Sequence, residues 1–257
     1  MFMTSLFRAG FLTSLFIFAL AGVAAAAEPH TEEDSQARSI LEKADAIRFP
    51  AQGFQVDVDI ASTEPGEAIE KRKYRILSKG NDNTVIMILE PASERGQIML
   101  MKGHDLWVFM PNVSQPIRLG LAQRLTGQVA NGDLARANFS GDYTPKLLRT
   151  ERLDGTDYFV LELLAVDRSV TYHRVLLWVN KSNYRPRKAE FYSLSSRLLK
   201  TCTYENYKNM AGKPRPTEML IQDALKSGDT STLEYSNMKL RDLPDKIFSK
   251  DYLKKLQ

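Results

Sequence analysis

Residues 103–111 read GHDLWVFMP: a turn-forming glycine, large apolar side chains from Leu106 to Met110, and a closing proline. The segment is too short for an ordinary helix and rich in the aromatic and branched side chains that suit a pleated surface. It therefore predicts a strand over 104–110. Alternation places Trp107 and Phe109 on one face and Leu106 and Val108 on the other. Which pair faces inward decides whether the strand is ordinary core or one wall of an apolar hollow.

The neighbouring segments repeat the rhythm. Phe54, Val56, Val58 and Ile60 alternate with Gln55, Asp57 and Asp59, one face greasy and one wet. Further strands are expected at 67–78, 84–90 and 96–102, separated by Gly, Asn, Pro or Ser. Others follow at 157–166, 172–180, 187–194, 198–206, 217–226 and 230–240. Residues 111–150, rich in Gly, Asn and Asp, break the pattern and read as an irregular or briefly helical insertion. At one end Ala37, Ile40, Leu41, Ala44 and Ile47 recur at three- and four-residue steps, the stripe of an amphipathic helix. Its start falls at Thr31, where Glu32, Glu33 and Asp34 meet the positive helix end, and Pro50 and Gly53 mark its stop. A second helix is expected over 245–256, entered at Pro244. Ten or eleven short consecutive strands with a helix near each end define an α+β, antiparallel fold without βαβ units.

The first 27 residues differ from the rest. Arg8 precedes an apolar run from Phe11 to Val23, and Ala24–Ala27 offer small residues before Glu28. The run is short for a membrane span of about 20 residues. A cleaved signal peptide over 1–27 is expected, with an uncleaved anchor as the alternative, leaving 28–257 as one domain with no transmembrane segment. The single cysteine, Cys202, lies far from that junction, so the mature chain is expected to be an unlipidated periplasmic protein without intramolecular disulfides. Lysines and arginines number 35 against 31 acidic residues, a balance that gives no argument for a nucleic-acid partner.

Catalytic patterns are missing from the sequence. His30, His104 and His173 stand apart from any metal-ligand spacing, and there is no nucleophile elbow and no phosphate-cradling glycine loop. Cys202, between Thr201 and Thr203, reads as a small buried side chain. Asp57 and Asp59 complete the polar side of a strand. The basic run Lys71, Arg72, Lys73 and Arg75 reads as a solvated or edge strand, with an acidic docking partner as the alternative. No metal, cofactor or enzymatic activity is expected.

With its order relative to later motifs, the opening segment takes on a second meaning. The pattern Gly-x-x-Leu-Trp-x-Phe-x-Pro resembles the signature of the bacterial outer-membrane lipoprotein-sorting proteins, the LolA-like carriers. Downstream, 127–134 (GQVANGDL) and 139–143 (FSGDY) look like the glycine–aspartate insertion of the subfamily that accompanies resistance–nodulation–division exporters. Residues 176–208, LLWVNKSNYRPRKAEFYSLSSRLLKTCTYENYK, then Pro216–Met219 and the closing LPDKIFSKDYLKKL (243–256), follow in the family order over roughly 50–257. Asn131 stands where glycine is usual, Leu134 where phenylalanine is, and no residue aligns with the arginine that gates the founding carrier.

The resemblance implies a curved antiparallel half-barrel covered by helices and a loop insertion, with an apolar hollow for cargo. Phe54, Val56, Val58, Ile60, Met87, Leu89, Met99, Met101, Trp107, Phe109 and Met219 are the candidate cavity residues, with core filling as the alternative. Ile40, Leu41, Ala44, Ile47, Leu121 and Leu125 are the candidate lid. The implied role is a periplasmic carrier of lipoprotein acyl chains or another lipid, working between an inner-membrane exporter and an outer-membrane acceptor. An envelope-stress sensor of the same fold, signalling to a membrane partner, is the alternative.

Overall fold

The period-two segments of the sequence close into one antiparallel ladder. The computed structural model describes residues 32–136 and 138–253. The candidate signal peptide, Thr31 at the expected helix start and residues 254–257 therefore lie outside the described residues. After helix α1 (Glu32–Arg48) come β1 (Phe54–Thr63), β2 (Glu70–Lys79), β3 (Asn83–Glu90), β4 (Ile98–Lys102), β5 (Asp105–Phe109) and β6 (Ile117–Leu119). The insertion holds a small hairpin, β7 (Arg124–Thr126) and β8 (Val129–Ala130), and helix α2 (Asn131–Ala135). Then follow β9 (Tyr143–Leu153), β10 (Thr156–Ala165), β11 (Arg174–Asn180), β12 (Pro186–Tyr192), β13 (Leu198–Met210), β14 (Lys213–Asp223) and β15 (Thr230–Leu240). A 3₁₀ turn, Asp245–Phe248, and helix α3 (Lys250–Leu253) stand where one continuous helix was expected.

Among the described residues thirteen strands form one sheet in the order β6-β5-β4-β3-β2-β1-β15-β14-β13-β12-β11-β10-β9. β15 pairs with β1, so the two halves of the chain meet in the middle. β6 and β9 are left as unpaired edges, and the curved sheet is a half-barrel. More strands form than the ten or eleven expected, because 111–150 also supplies β6 and the first half of β9. The exposed residues of β6 show no burial alternation, and Pro145 disguises β9. Proline is tolerated there because an edge strand has a side with no ladder partner.

Direct cross-strand partners share a face, and the register divides the residues sharply. Val56, Ile76, Ile86, Met99 and Val108 are successive partners across β1 to β5, and all are buried in the main core. The next row, Gln55, Leu77, Val85, Leu100 and Trp107, faces the other way. α1 covers the first face, lying against β9 and β14 with Ala37, Ile40, Leu41 and Ala44 in the same core. The second face is sealed over β2–β5 by the C-terminal segment, whose Leu243, Phe248 and Leu253 pack on Val85, Ile98 and Leu100.

Two polar devices fix the cover. Arg215 of β14 donates Nη1 to the carbonyls of Ala46 (3.0 Å) and Ile47 (3.1 Å), satisfying orphan acceptors at the end of α1. The insertion lies against the sheet so closely that two of its glycines are obligatory. A Cβ on Gly127, whose φ is +48°, would sit 2.0 Å from Ser62 Oγ, and one on Gly132 would sit 1.9 Å from Thr171 Oγ1.

Phe248 is 1% exposed and anchors the C-terminal seal. Phe248→Ala is expected to cost about 3–5 kcal/mol through the cavity it leaves, measured as a lowered urea midpoint at unchanged m-value.

Candidate functional site

Between the apolar face of the sheet and its cover lies a hollow of about 510 Å³, part of it open to solvent. Its greasy walls come from Phe139 and Tyr143 of the insertion side, Tyr172 and Phe191, and Tyr204, Met219 and Ile221 of β13 and β14. Strand alternation brings Cys202, Tyr204, Met219 and Ile221 to one face of two paired strands. A smaller hollow of about 260 Å³ is lined by Phe49, Phe54, Val56, Ile76, Leu134 and Tyr235, and Asp133 borders both. A wider groove of about 840 Å³, including open solvent, runs beside Ile88, Met99, Val108, Leu119 and Leu125.

Charged groups stand inside this apolar setting, and most are tightly matched. Asp133 accepts from Lys200 Nζ at 2.6 Å, Tyr172 OH at 2.8 Å and the Ala130 amide at 2.8 Å, and Lys200 also donates to the Gln128 carbonyl at 2.8 Å. Arg136 forms a two-pronged pair with Asp142, and its Nη1 reaches Gly103 O at 2.8 Å. That arginine therefore staples the insertion to the β4–β5 turn. Asp45 of α1, 3% exposed, accepts from the Phe139 amide (3.0 Å), the Ser140 amide (2.7 Å), Ser140 Oγ (2.7 Å) and Arg48 Nη1 (3.1 Å). The Arg48 guanidinium lies over the Phe139 ring at 4.1 Å.

Burial pushes the Cys202 thiol up to about 12, which leaves it a poor nucleophile at neutral pH. Burial likewise raises Tyr204 and Tyr172 well above the usual phenol range. Among the described residues no group of three or more His, Cys, Asp or Glu side chains is placed to hold a metal ion. Asp57 and Asp59 serve cross-strand ion pairs, to Arg75 (2.7 and 2.9 Å) and to Lys73 (3.0 Å).

The expected cavity residues separate by face. Phe54 and Val56 line the smaller hollow, Met219 lines the larger one and Met99 borders the groove. Val58, Ile60 and Met101 lie on the same side, buried in the main core. Trp107 and Phe109, expected on the concave side, face the opposite way: Phe109 packs on the C-terminal seal, and Lys250 Nζ sits 5.5 Å from the Trp107 ring. The tight β4–β5 turn pairs Met99 with Val108 and Met101 with Leu106, so the aromatics cannot share a face with those methionines. Met87 joins the outer cluster and Leu89 follows it by alternation, while Ile86 and Ile88 face inward. Of the expected lid, Ile40, Leu41, Ala44 and Leu121 are in the main core and Leu125 packs on it, whereas Ile47 is half-buried outside it.

The polar residues of the hollow escaped the sequence reading. Asp45 and Arg48 continue the spacing of the Leu41 and Ala44 stripe on α1, and charge on an apolar stripe was the available signal.

An open half-barrel with a covered, largely apolar hollow is the class that fold and site define. A family model described as an uncharacterized protein matches residues 80–255. A LolA superfamily protein from Nitrosomonas europaea is 68% identical over 84% of this chain and 98% of its own, with a TM-score of 0.82. The chain belongs to the LolA superfamily. Two more distant structures share the fold. An outer membrane lipoprotein-sorting protein domain from Vibrio parahaemolyticus is 24% identical, covering 86% and 99% of the two chains at a TM-score of 0.73. A DUF1329 family protein from Desulfovibrio piger is 21% identical, covering 87% and 100% at 0.75. No curated protein matches the sequence.

The Arg75 guanidinium holds the Asp57 carboxyl below the usual aspartate range, against the opposing effect of burial. A depressed folded-state pKa adds stability that is present above the unfolded value, about pH 4, and is lost as pH falls through the folded one. Asp57→Asn is therefore expected to cost about 1–3 kcal/mol at pH 7 and to flatten the acid limb of stability against pH. Urea titrations at stepped pH check both; an unchanged acid limb refutes the assignment.

Proposed function

We propose that the protein is a periplasmic lipid carrier that shelters the acyl chains of lipoproteins, or of another lipid, in the hollow beneath α1 and the insertion. The observation that carries this is an apolar, aromatic-walled hollow enclosed by an unclosed sheet and a separate cover. Membership of the LolA superfamily supports it, as does the name of the Vibrio relative. So does the expected signal peptide over 1–27, with no cysteine at its end to carry a lipid anchor. Among the described residues no helix is long and apolar enough to cross a membrane.

The energetics set the task. Each methylene removed from water is worth about 0.8 kcal/mol, so a sixteen-carbon chain resists crossing an aqueous compartment by roughly 12 kcal/mol. The hollow must offer comparable shelter and still let go. The closed part of the hollow is smaller than such a chain, so loading requires α1 and the insertion to move off the sheet, with cargo replacing their apolar contacts. Buried methionines such as Met99, Met101 and Met219 suit repacking around a variable chain. Cargo would arrive from an inner-membrane exporter and leave to an outer-membrane acceptor; no catalytic step is needed.

Delipidated protein is expected to bind fluorescent acyl probes, and native protein to carry lipid visible by mass spectrometry. Met219→Trp, which fills the hollow, is expected to weaken probe binding at least tenfold, with an overpacking cost of about 1–3 kcal/mol in stability. Unaltered probe affinity in that variant places the binding elsewhere.

A further inference from the structure

The hollow is greasy on most sides, but one of its charged groups is left with most of its hydrogen-bonding capacity unused. Arg48 is 7% exposed, and its guanidinium carries five N–H donors. Among the described residues it makes one hydrogen bond, from Nη1 to Asp45, and its buried Nε has no partner. Asp45 cannot give more, since it already serves the two amides and the hydroxyl of Phe139 and Ser140. The rest of the surroundings are ring faces: Phe139 at 4.1 Å, Phe49 at 5.6 Å and Tyr204 at 5.7 Å.

The buried cations nearby differ. Lys200 is shared between Asp133 and the Gln128 carbonyl, and Arg136 engages Asp142, Gly103 O and Asp82. Each is held by at least two acceptors. Asn138, which also lines the hollow, has a buried Oδ1 without a partner, but that atom is an acceptor and asks for the opposite kind of group. An unmet buried donor is costly, the more so on a charged group. The unmet N–H of Arg48, beside apolar side chains, forms the outline of a missing acceptor.

We infer that Arg48 forms a polar subsite for the oxygen-bearing end of an acyl ligand, either a fatty-acid carboxylate or an acyl-ester carbonyl. This rests on the carrier role proposed above and adds an orientation to it. The acyl oxygens accept from the free N–H groups of Arg48. The first methylenes lie against Tyr204, Met219 and Ile221. The polar end of the cargo is then buried beneath α1, and ligand occupancy bears directly on the residue that joins α1 to the insertion. A carboxylate gains most, because it forms a full ion pair with the guanidinium and can accept two parallel N–H bonds.

The test uses delipidated, signal-processed protein and three fluorescent probes: cis-parinaric acid, its methyl ester, and diphenylhexatriene, which has no oxygen. Arg48→Gln is expected to weaken the acid at least tenfold, the ester several-fold and diphenylhexatriene less than twofold. Asn138→Asp keeps the side-chain size and supplies an internal carboxylate to compete for Arg48. It is expected to weaken the acid at least tenfold and the ester less, with the thermal transition retained. Equal weakening of all three probes, or an acid affinity indifferent to both substitutions, overturns the subsite while the carrier role stands. Failure of the wild-type protein to bind any probe overturns both.

Discussion

Asp45 is where sheet, helix and insertion come together. It is a carboxylate on the sheet-facing stripe of α1, 3% exposed, and four donors converge on it from the helix and from Phe139 and Ser140. A buried carboxylate is tolerated only when such donors replace its water. The requirement runs both ways: Asp45 needs the insertion in place, and the insertion at 139–140 has its amides satisfied by α1. An unclosed sheet of thirteen strands cannot cover its own apolar face, so everything inside depends on this junction.

The interior polar groups divide by how completely they are matched. Lys200 with Asp133 and Arg136 with Asp142 are closed pairs that tie the insertion to β13 and to the β4–β5 turn. Obligatory glycines at 127 and 132 let the backbone lie close enough for those pairs to form. Arg48 stands apart because the carboxylate beside it is already spent on backbone amides.

Much of the architecture could be read in advance from alternation. The strands 54–60, 84–90, 187–194 and 230–240 and the stripe on α1 all declared themselves through periods of two and 3.6. What alternation could not reveal was β6 and β9, whose edge positions free them from a hydrophobic rhythm, and Pro145 masks the latter. The charged lining of the hollow was equally hidden. Asp133 and Asp142 were visible only as members of a glycine–aspartate motif, and Lys200 sat in a strand with no mark to separate it from a surface lysine. Their partners lie 67 residues apart in one case and six in the other, and only folding chooses them.

GHDLWVFMP marks the boundary between the two kinds of knowledge. The sequence by itself determined that 103–111 is a turn and a strand, that its neighbours are antiparallel strands, and that the whole resembles a lipid-carrying half-barrel. These follow from local periodicity and motif order, which are properties of the chain alone. Only the tertiary structure decided that Leu106 and Val108 face the main core while Trp107 and Phe109 pack outside under the C-terminal segment. A strand has two faces of similar apolar character here, and a one-residue change of pairing would exchange them. The choice belongs to the register with β4, where Met99 meets Val108 and Met101 meets Leu106.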